Sequence, residues 1–212
     1  MISIKTMVFN PFQVNTYILT DETKDCIIVD AAAYETHEEQ AIREYICENS
    51  LNPVLLVTTH CHIDHILGNS FIKATYNTEI VSNRDDEFLL NSAKESSVIF
   101  GLDLKQLPPI DKYLEGGDII RFGNSSLDIF HIPGHSPGSI ALYSASQGFV
   151  LTGDVLFNRS IGRTDLPGGN FNTLLTGIKE KLMVLPGKTI VYPGHGQTTT
   201  IADEKENNSF IN

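Results

Sequence analysis

Residues 54–65 read Val54-Leu55-Leu56-Val57-Thr58-Thr59-His60-Cys61-His62-Ile63-Asp64-His65. The apolar run after Pro53 predicts a short buried strand. That strand hands the chain to four nitrogen or oxygen donors within six residues. In extended backbone, side chains at i, i+2 and i+4 share a face, so His60, His62 and Asp64 point together while Cys61 and Ile63 point away. His65 joins them if the chain turns there into a helix. Histidine and carboxylate donors gathered at one strand end are what divalent transition metals take, and a merely polar turn has no need of them.

Further donors occupy comparable places. His135 lies in Pro133-Gly134-His135-Ser136-Pro137-Gly138, Asp154 follows Gly153, and His195 lies in Pro193-Gly194-His195-Gly196. Each comes just after a predicted strand, in a turn whose glycine or proline lets backbones approach closely. Alone, any one of them is an incidental turn residue. Together with the first cluster they make five imidazoles and two carboxylates, too many for one zinc ion, which takes three or four protein ligands. Two ions sharing a carboxylate account for the set. One consistent partition puts His60, His62 and His135 on the first metal and Asp64, His65 and His195 on the second, with Asp154 bridging. Water between two such cations deprotonates readily, since even one zinc lowers its pKa from 15.7 to about 7, and the resulting hydroxide is a nucleophile. Asp64 and Asp154, with that hydroxide, form the expected catalytic set. Two dications outweigh those three anions by about one unit, so the pocket favours an anionic small molecule.

Outward from these motifs, strands are predicted at residues 2–9, 16–19, 26–29, 119–122, 127–132, 139–144, 149–152 and 189–192. A helix over 36–49 has Thr36 and Glu39 at capping-box spacing, and Pro53 bars its continuation. A second helix starts at about 66 and runs to 76. A third has its apolar residues at 174, 175, 178, 182 and 183, behind a cap at Asn172. Residues 84–117 read as one helix and a loop around Pro108-Pro109, either a lid or a surface excursion. The class is α/β or α+β; periodicity leaves the architecture open.

Bulk properties narrow the function. The 212 residues suit one hydrophobic core, with 41% hydrophobic and 19% charged residues, as in ordinary globular chains. Fifteen Lys and Arg against 26 Asp and Glu give a net charge of −11, which argues against nucleic acid or an anionic membrane as partner. Cys26, Cys47 and Cys61 do not form a disulfide framework. The start lacks signal-peptide character, and no apolar run approaches the roughly 20 residues of a membrane span, so a cytoplasmic location is expected. Nothing in the pattern sets an oligomeric state.

The ordered motifs Thr59-His60-Cys61-His62-Ile63-Asp64-His65, His131-Ile132-Pro133-Gly134-His135-Ser136-Pro137-Gly138-Ser139, Gly153-Asp154 and Pro193-Gly194-His195-Gly196 resemble the metallo-β-lactamase fold superfamily. Within it, the chain is similar to short glyoxalase II-like (hydroxyacylglutathione hydrolase-like) proteins. The resemblance implies a four-layer αββα sandwich over residues 1–212, with the metal pair at one edge of the two sheets and the partition given above. It implies zinc, with iron or manganese as alternatives. Asp30 would support the metal ligands, or be an ordinary turn carboxylate, and His131 would not be a ligand. His37 reads as a solvated surface residue. Only 17 residues follow His195, too few for the helical domain of full-length glyoxalase II.

The implied reaction is hydrolysis of an anionic acyl thioester, whose thiol, with a pKa near 8.5, leaves without a dedicated acid. Arg163, in Gly162-Arg163-Thr164-Asp165, would contact a substrate carboxylate or pair with Asp165. The rival enzyme is a persulfide dioxygenase with one iron on His60, His135 and Asp154; a lactonase or other esterase is a further alternative.

Overall fold

The computed structural model describes residues 1–104 and 106–212. Strands β1 (Ser3–Phe9), β2 (Val14–Thr20) and β3 (Asp25–Val29) form an antiparallel meander. Helix α1 (Thr36–Glu48) crosses to β4 (Asn52–Val57), which lies parallel to β3. Helices α2 (Ile63–Ile66) and α3 (Asn69–Tyr76) precede β5 (Glu79–Ser82). A 3-10 turn (Arg84–Asp86), α4 (Glu87–Asn91) and α5 (Ala93–Phe100) precede β6 (Lys112–Tyr113). The first sheet therefore has the order β1-β2-β3-β4-β5-β6.

The second sheet begins with an antiparallel run of β7 (Ile119–Phe122), β8 (Ser125–His131), β9 (Ile140–Ser144) and β10 (Phe149–Gly153). A small ribbon of β11 (Leu156–Phe157) and β12 (Ser160–Ile161) follows. Helix α6 (Phe171–Gly177) continues as a π turn (Ile178–Leu182). Strand β13 (Ile190–Pro193) returns parallel to β10, and β14 (Thr199–Thr200) and α7 (Ile201–Asn207) complete the order β14-β13-β10-β9-β8-β7.

Period-2 alternation assigns the layers. Tyr17, Leu19, Ile27, Val29 and Val57 of the first sheet meet Leu127, Ile129, Ile140, Leu142 and Leu151 of the second in one buried core. Their sequence neighbours Ile18, Cys26, Ile28 and Leu56 face outward onto Ile42 and Ile46 of α1 and Phe71 and Ile72 of α3. On the other side Ala141, Val150 and Val191 meet Leu174, Ile178, Leu182 and Ile201. Strands apolar on both faces need a helix outside each sheet, and the result is the αββα sandwich. No helix among the described residues is long and apolar enough to cross a membrane.

Several local readings shift. The cap of α1 is Glu35 and the box partner is Glu38, one residue before the Thr36/Glu39 pair. The Glu38 carboxylate accepts from the N–H groups of Asn10, Tyr34 and Glu35, tying the start of α1 to the β1–β2 turn, two segments that spacing alone does not relate. The cap of α6 is Asn170, not Asn172, because its side chain accepts the Thr173 N–H at 2.9 Å. The helix expected from 66 is two short ones. The 84–117 stretch carries two helices and a strand, and its Lys105 lies outside the described residues. Strands β5, β6 and β14 and helix α7 had no reading of their own.

Candidate metal centre

Five chain segments bring the seven predicted donors to one edge of the sandwich. After β4 the chain bends at Thr59 and runs to His62, whose φ of −65° and ψ of 146° make it the residue that starts α2. The alternation argument therefore holds for His60 and His62 only. Asp64 comes in on the first turn of α2, with His65 beside it, because the helix begins one residue before Asp64. Cys61 points away as expected and is buried near Ser82, whereas Ile63 lines the cavity. His135 sits in the β8–β9 turn, and Asp154 and His195 follow the parallel ends of β10 and β13. Gly194 is required by this crowding: a Cβ there would lie 2.1 Å from Asp154 Oδ1 and 2.8 Å from His65 Cε1.

The donor atoms form three overlapping groups, each lying within 4.8 Å: His60, His62 and His135; His60, His65 and Asp154; Asp64, His65 and His195. His60 Nε2 and His135 Nε2 are 3.2 Å apart, and His65 Nε2 and His195 Nε2 3.3 Å. His62 Nδ1 is 2.8 Å from His135 Nε2. Asp154 reaches all sides, with Oδ1 3.3 Å from His65 and Oδ2 3.5 and 3.6 Å from His195 and His135. Asp64 Oδ2 is 3.4 Å from His195. Zinc bonds of about 2.0–2.1 Å in a tetrahedron set donors about 3.3 Å apart, so most of these spacings fit such a sphere. Two buried polar atoms, His62 Nε2 and Asp154 Oδ1, have no hydrogen-bond partner among the described residues.

The outer ring nitrogens are tied down, and each tie selects a tautomer. His135 Nδ1 donates to the Arg163 carbonyl at 2.8 Å, and His195 Nδ1 to the Phe12 carbonyl at 3.0 Å. His65 Nδ1 donates to Asp30 Oδ2 at 3.0 Å. Thr59 Oγ1 gives its proton to Asp30 Oδ2 at 2.7 Å and thus accepts from His60 Nδ1 at 3.2 Å. Four Nε2 atoms consequently face inward; His62 is reversed and presents Nδ1. Asp30 itself sits at φ 54°, a left-handed conformation aspartate tolerates, and its Oδ1 also accepts the Thr59 N–H at 2.7 Å. The structure places Asp30 behind the donors, touching them without joining their ring.

A second buried carboxylate had no sequence signal. Asp86 stands in Arg84-Asp85-Asp86-Glu87, which reads as a solvated charged run, yet it is fully buried. Its Oδ2 accepts from the Cys61 N–H at 2.9 Å and the Ser136 hydroxyl at 2.8 Å, and its Oδ1 from the Gly138 N–H at 2.6 Å. Asp86 thus clamps the His60–His62 segment to the His135 turn. The His195 turn is held from the other terminus: Asn15 donates its N–H to the Gly194 carbonyl at 2.7 Å and its side-chain amide to Pro193 and Gly196. The Tyr17 hydroxyl adds a 2.6 Å bond to Pro193.

Electrostatics divide the donors into two sets. Burial, then the neighbouring imidazoles, push His60 well below the ordinary histidine value and His62 down to about 4. Burial also lowers His135. Burial opposes charge on His65 and His195 as well, but the nearby carboxylates outweigh it: His65 lies well above its ordinary value and His195 is raised to about 9. Asp64 and Asp154 stay ionised, since those imidazoles overcome the cost of burial.

The donors floor a cavity of about 390 Å³ walled by Phe12, Ile63, Phe88, Leu89, Phe100, Leu166 and Pro167. Arg163 also lines it, but its guanidinium makes a bidentate pair with Asp165 at 2.8 and 2.7 Å. His131 binds the Pro137 carbonyl outside the donor ring, and His37 is exposed on α1.

A family model described as the metallo-beta-lactamase superfamily matches residues 9–195. The chain is 36% identical to the hydroxyacylglutathione hydrolase GloC of Haemophilus influenzae, over 99% of this chain and 98% of that one. Among solved structures it is similar to the BLEG-1 B3 metallo-beta-lactamase, with a TM-score of 0.90, 33% identity and 99% of each chain covered. It is also similar to TTHA1623 in a di-iron-bound form, with a TM-score of 0.88, 29% identity, and 97% and 99% of the two chains covered.

Proposed function

The chain belongs to the metallo-beta-lactamase superfamily of metal-dependent hydrolases, and from that premise we propose that it hydrolyses small-molecule thioesters in the manner of a hydroxyacylglutathione hydrolase. The observation that carries this reading is the convergence of two donor triads on one shared carboxylate, Asp154, at the floor of an apolar cavity. The reading takes residues 1–212 as one catalytic unit.

His60, His62 and His135 would hold one divalent cation and Asp64, His65 and His195 a second, with Asp154 between them. Imidazole with carboxylate suits zinc, and iron or manganese by the same donor chemistry. Bound there, such cations supply Lewis acidity toward an acyl oxygen and lower the pKa of water toward neutrality. The residues of the chain do the rest. Asp30, Thr59 and the carbonyls of Phe12 and Arg163 fix four imidazoles in the tautomer that presents Nε2. Asp64 and Asp154 remain carboxylates and accept protons or positive charge at their inward oxygens. Phe12, Phe88 and Phe100 offer an apolar flank to the group that carries the reacting carbon.

No unengaged acid beyond the donors lines the cavity among its described residues. That suits a leaving thiol, with a pKa near 8.5, better than an amide nitrogen that must be protonated to leave. A single iron on His60, His135 and Asp154 would leave Asp64, His65 and His195 converged without a task, which favours the hydrolase over the dioxygenase. Elemental analysis of protein purified without added metal, paired with S-lactoylglutathione and simple acyl thioester assays, tests the proposal. About two metal ions per chain and thioester turnover are expected. One iron with thiol-dependent oxygen uptake, or normal turnover by a His60→Ala, His62→Ala double variant, overturns it.

A further inference from the structure

The cavity wall above the donors is unlike the chemistry a glutathionyl group demands. Glutathione carries two carboxylates, and each needs a cation or several N–H donors when drawn from water. Apart from the metal-donor residues, Arg163 is the one charged side chain among the described residues of the lining, and Asp165 already occupies its guanidinium through two bonds. The polar hydroxyls on the wall are spent as well. Ser92 Oγ donates to the Phe88 carbonyl at 2.9 Å and Ser96 Oγ to the Ser92 carbonyl at 3.1 Å, both within their own helical segment.

What remains is apolar and partly uncovered. Phe12, from the β1–β2 turn, meets Phe100 of α5 edge to face, with centroids 5.4 Å apart and planes at 88°. Phe88 and Phe100 nevertheless stay 43% and 52% exposed. Large aromatic rings left half in water beside a reaction centre mark a surface that a ligand covers. Leu89, Leu166 and Pro167 extend the same wall.

We propose that this site selects thioesters of an apolar acyl chain on a small thiol without carboxylates. The inference rests on the thioesterase reading and narrows it: the substrate itself is uncharged, negative charge arises only on the acyl oxygen as water adds and on the carboxylate product, and the carrier contributes none. In the reaction, water adds its oxygen to the acyl carbon and the C–S bond breaks with its electron pair on sulfur. The products are a carboxylate and a thiol, with one proton released to solvent. Phe12, Phe88 and Phe100 determine specificity by covering the acyl chain.

Binding separates recognition from chemistry. The probes are non-hydrolysable thioethers, S-methyl-, S-butyl- and S-hexyl-N-acetylcysteamine and S-hexylglutathione, titrated calorimetrically into zinc-loaded protein. Affinity is expected to rise about two- to fourfold per methylene from S-methyl to S-hexyl, the range of a partly to fully buried CH₂. S-hexylglutathione should bind no tighter than its neutral counterpart. Phe100→Ser and Phe88→Ser should each flatten the chain-length dependence. Affinity that ignores chain length, or that is more than about tenfold tighter for S-hexylglutathione, overturns the proposal, as does failure of every thioether to bind. The predicted preference without turnover of any acyl thioester would overturn the hydrolase reading and uphold this one.

Discussion

Asp86 offers the sharpest test of how the donor ring is assembled. In Asp86→Ala the Cys61 and Gly138 N–H groups lose their acceptor, while the Ser136 hydroxyl keeps Ser139 Oγ at 2.8 Å. Two buried amides left unmet cost about 1–3 kcal/mol each, so about 2–6 kcal/mol in all, a large part of the 5–15 kcal/mol that holds a typical domain together. Asp86→Asn is gentler: its carbonyl still serves Cys61 and Ser136, and its amide opposes only the Gly138 N–H. That variant should lose about 1–3 kcal/mol and remain folded. Its loss should fall unevenly on metal binding, because Asp86 touches the segments carrying His60, His62 and His135 and neither Asp64 nor His195. Removing such an outer partner weakens a metal about 10- to 100-fold. A competition titration with cobalt(II), read by its ligand-field spectrum, resolves the two sites. The expected result is one weakened ion and one unchanged. Equal weakening of both, or wild-type affinity at both, refutes the clamp.

Asp30→Asn should show the reverse pattern, with the second ion weakened about 10- to 100-fold, because an amide has one acceptor oxygen for the His65 imidazole and the Thr59 N–H, which Asp30 meets with separate oxygens; the same titration reads it. Gly194→Ala places a methyl 2.1 Å from Asp154 Oδ1, and elemental analysis should find it unable to retain two ions. In metal-free protein, the raised His195 contributes stability that is complete below about pH 6.5 and fades as pH climbs through about 9. Melting midpoints in chelator should therefore drop across that window. Metal loading should remove the drop, since a coordinated His195 has already lost the proton; an unchanged pH profile on loading would count against it as a ligand.

The strands were legible because buried segments announce themselves: Phe149, Val150 and Leu151 alternate between two cores, and donors follow in the chain; the layering came from the family resemblance, since periodicity left the architecture open. All seven donors predicted from sequence meet in space. What sequence hid was contact across long separations. Asp86 looks like part of an acidic surface run, and only the fold reveals that Cys61 and Gly138 surround it. The cap of α1 moved by one residue because Glu38 also serves Asn10, 28 positions earlier, a bond no local spacing rule contains. Phe88 and Phe100 lay in the stretch with the weakest periodicity, so the wall of the cavity could not be drawn from pattern. Extended alternation failed at Ile63 for a simple reason: α2 starts there, and helical pitch replaces pleat.

The bonds from Asn15 and Tyr17 to residues 193–196 tie the second strand to the last donor, about 180 positions away. During synthesis His195 is the last of the seven donors to be made, and until then Asn15 and Tyr17 of β2 lack these partners. An ion captured before then finds six donors, His60, His62, Asp64, His65, His135 and Asp154, and lacks only the last imidazole. A ribosome stalled before codon 195 would therefore display a centre whole on the side of His60, His62 and His135 and one ligand short on the side of Asp64 and His65.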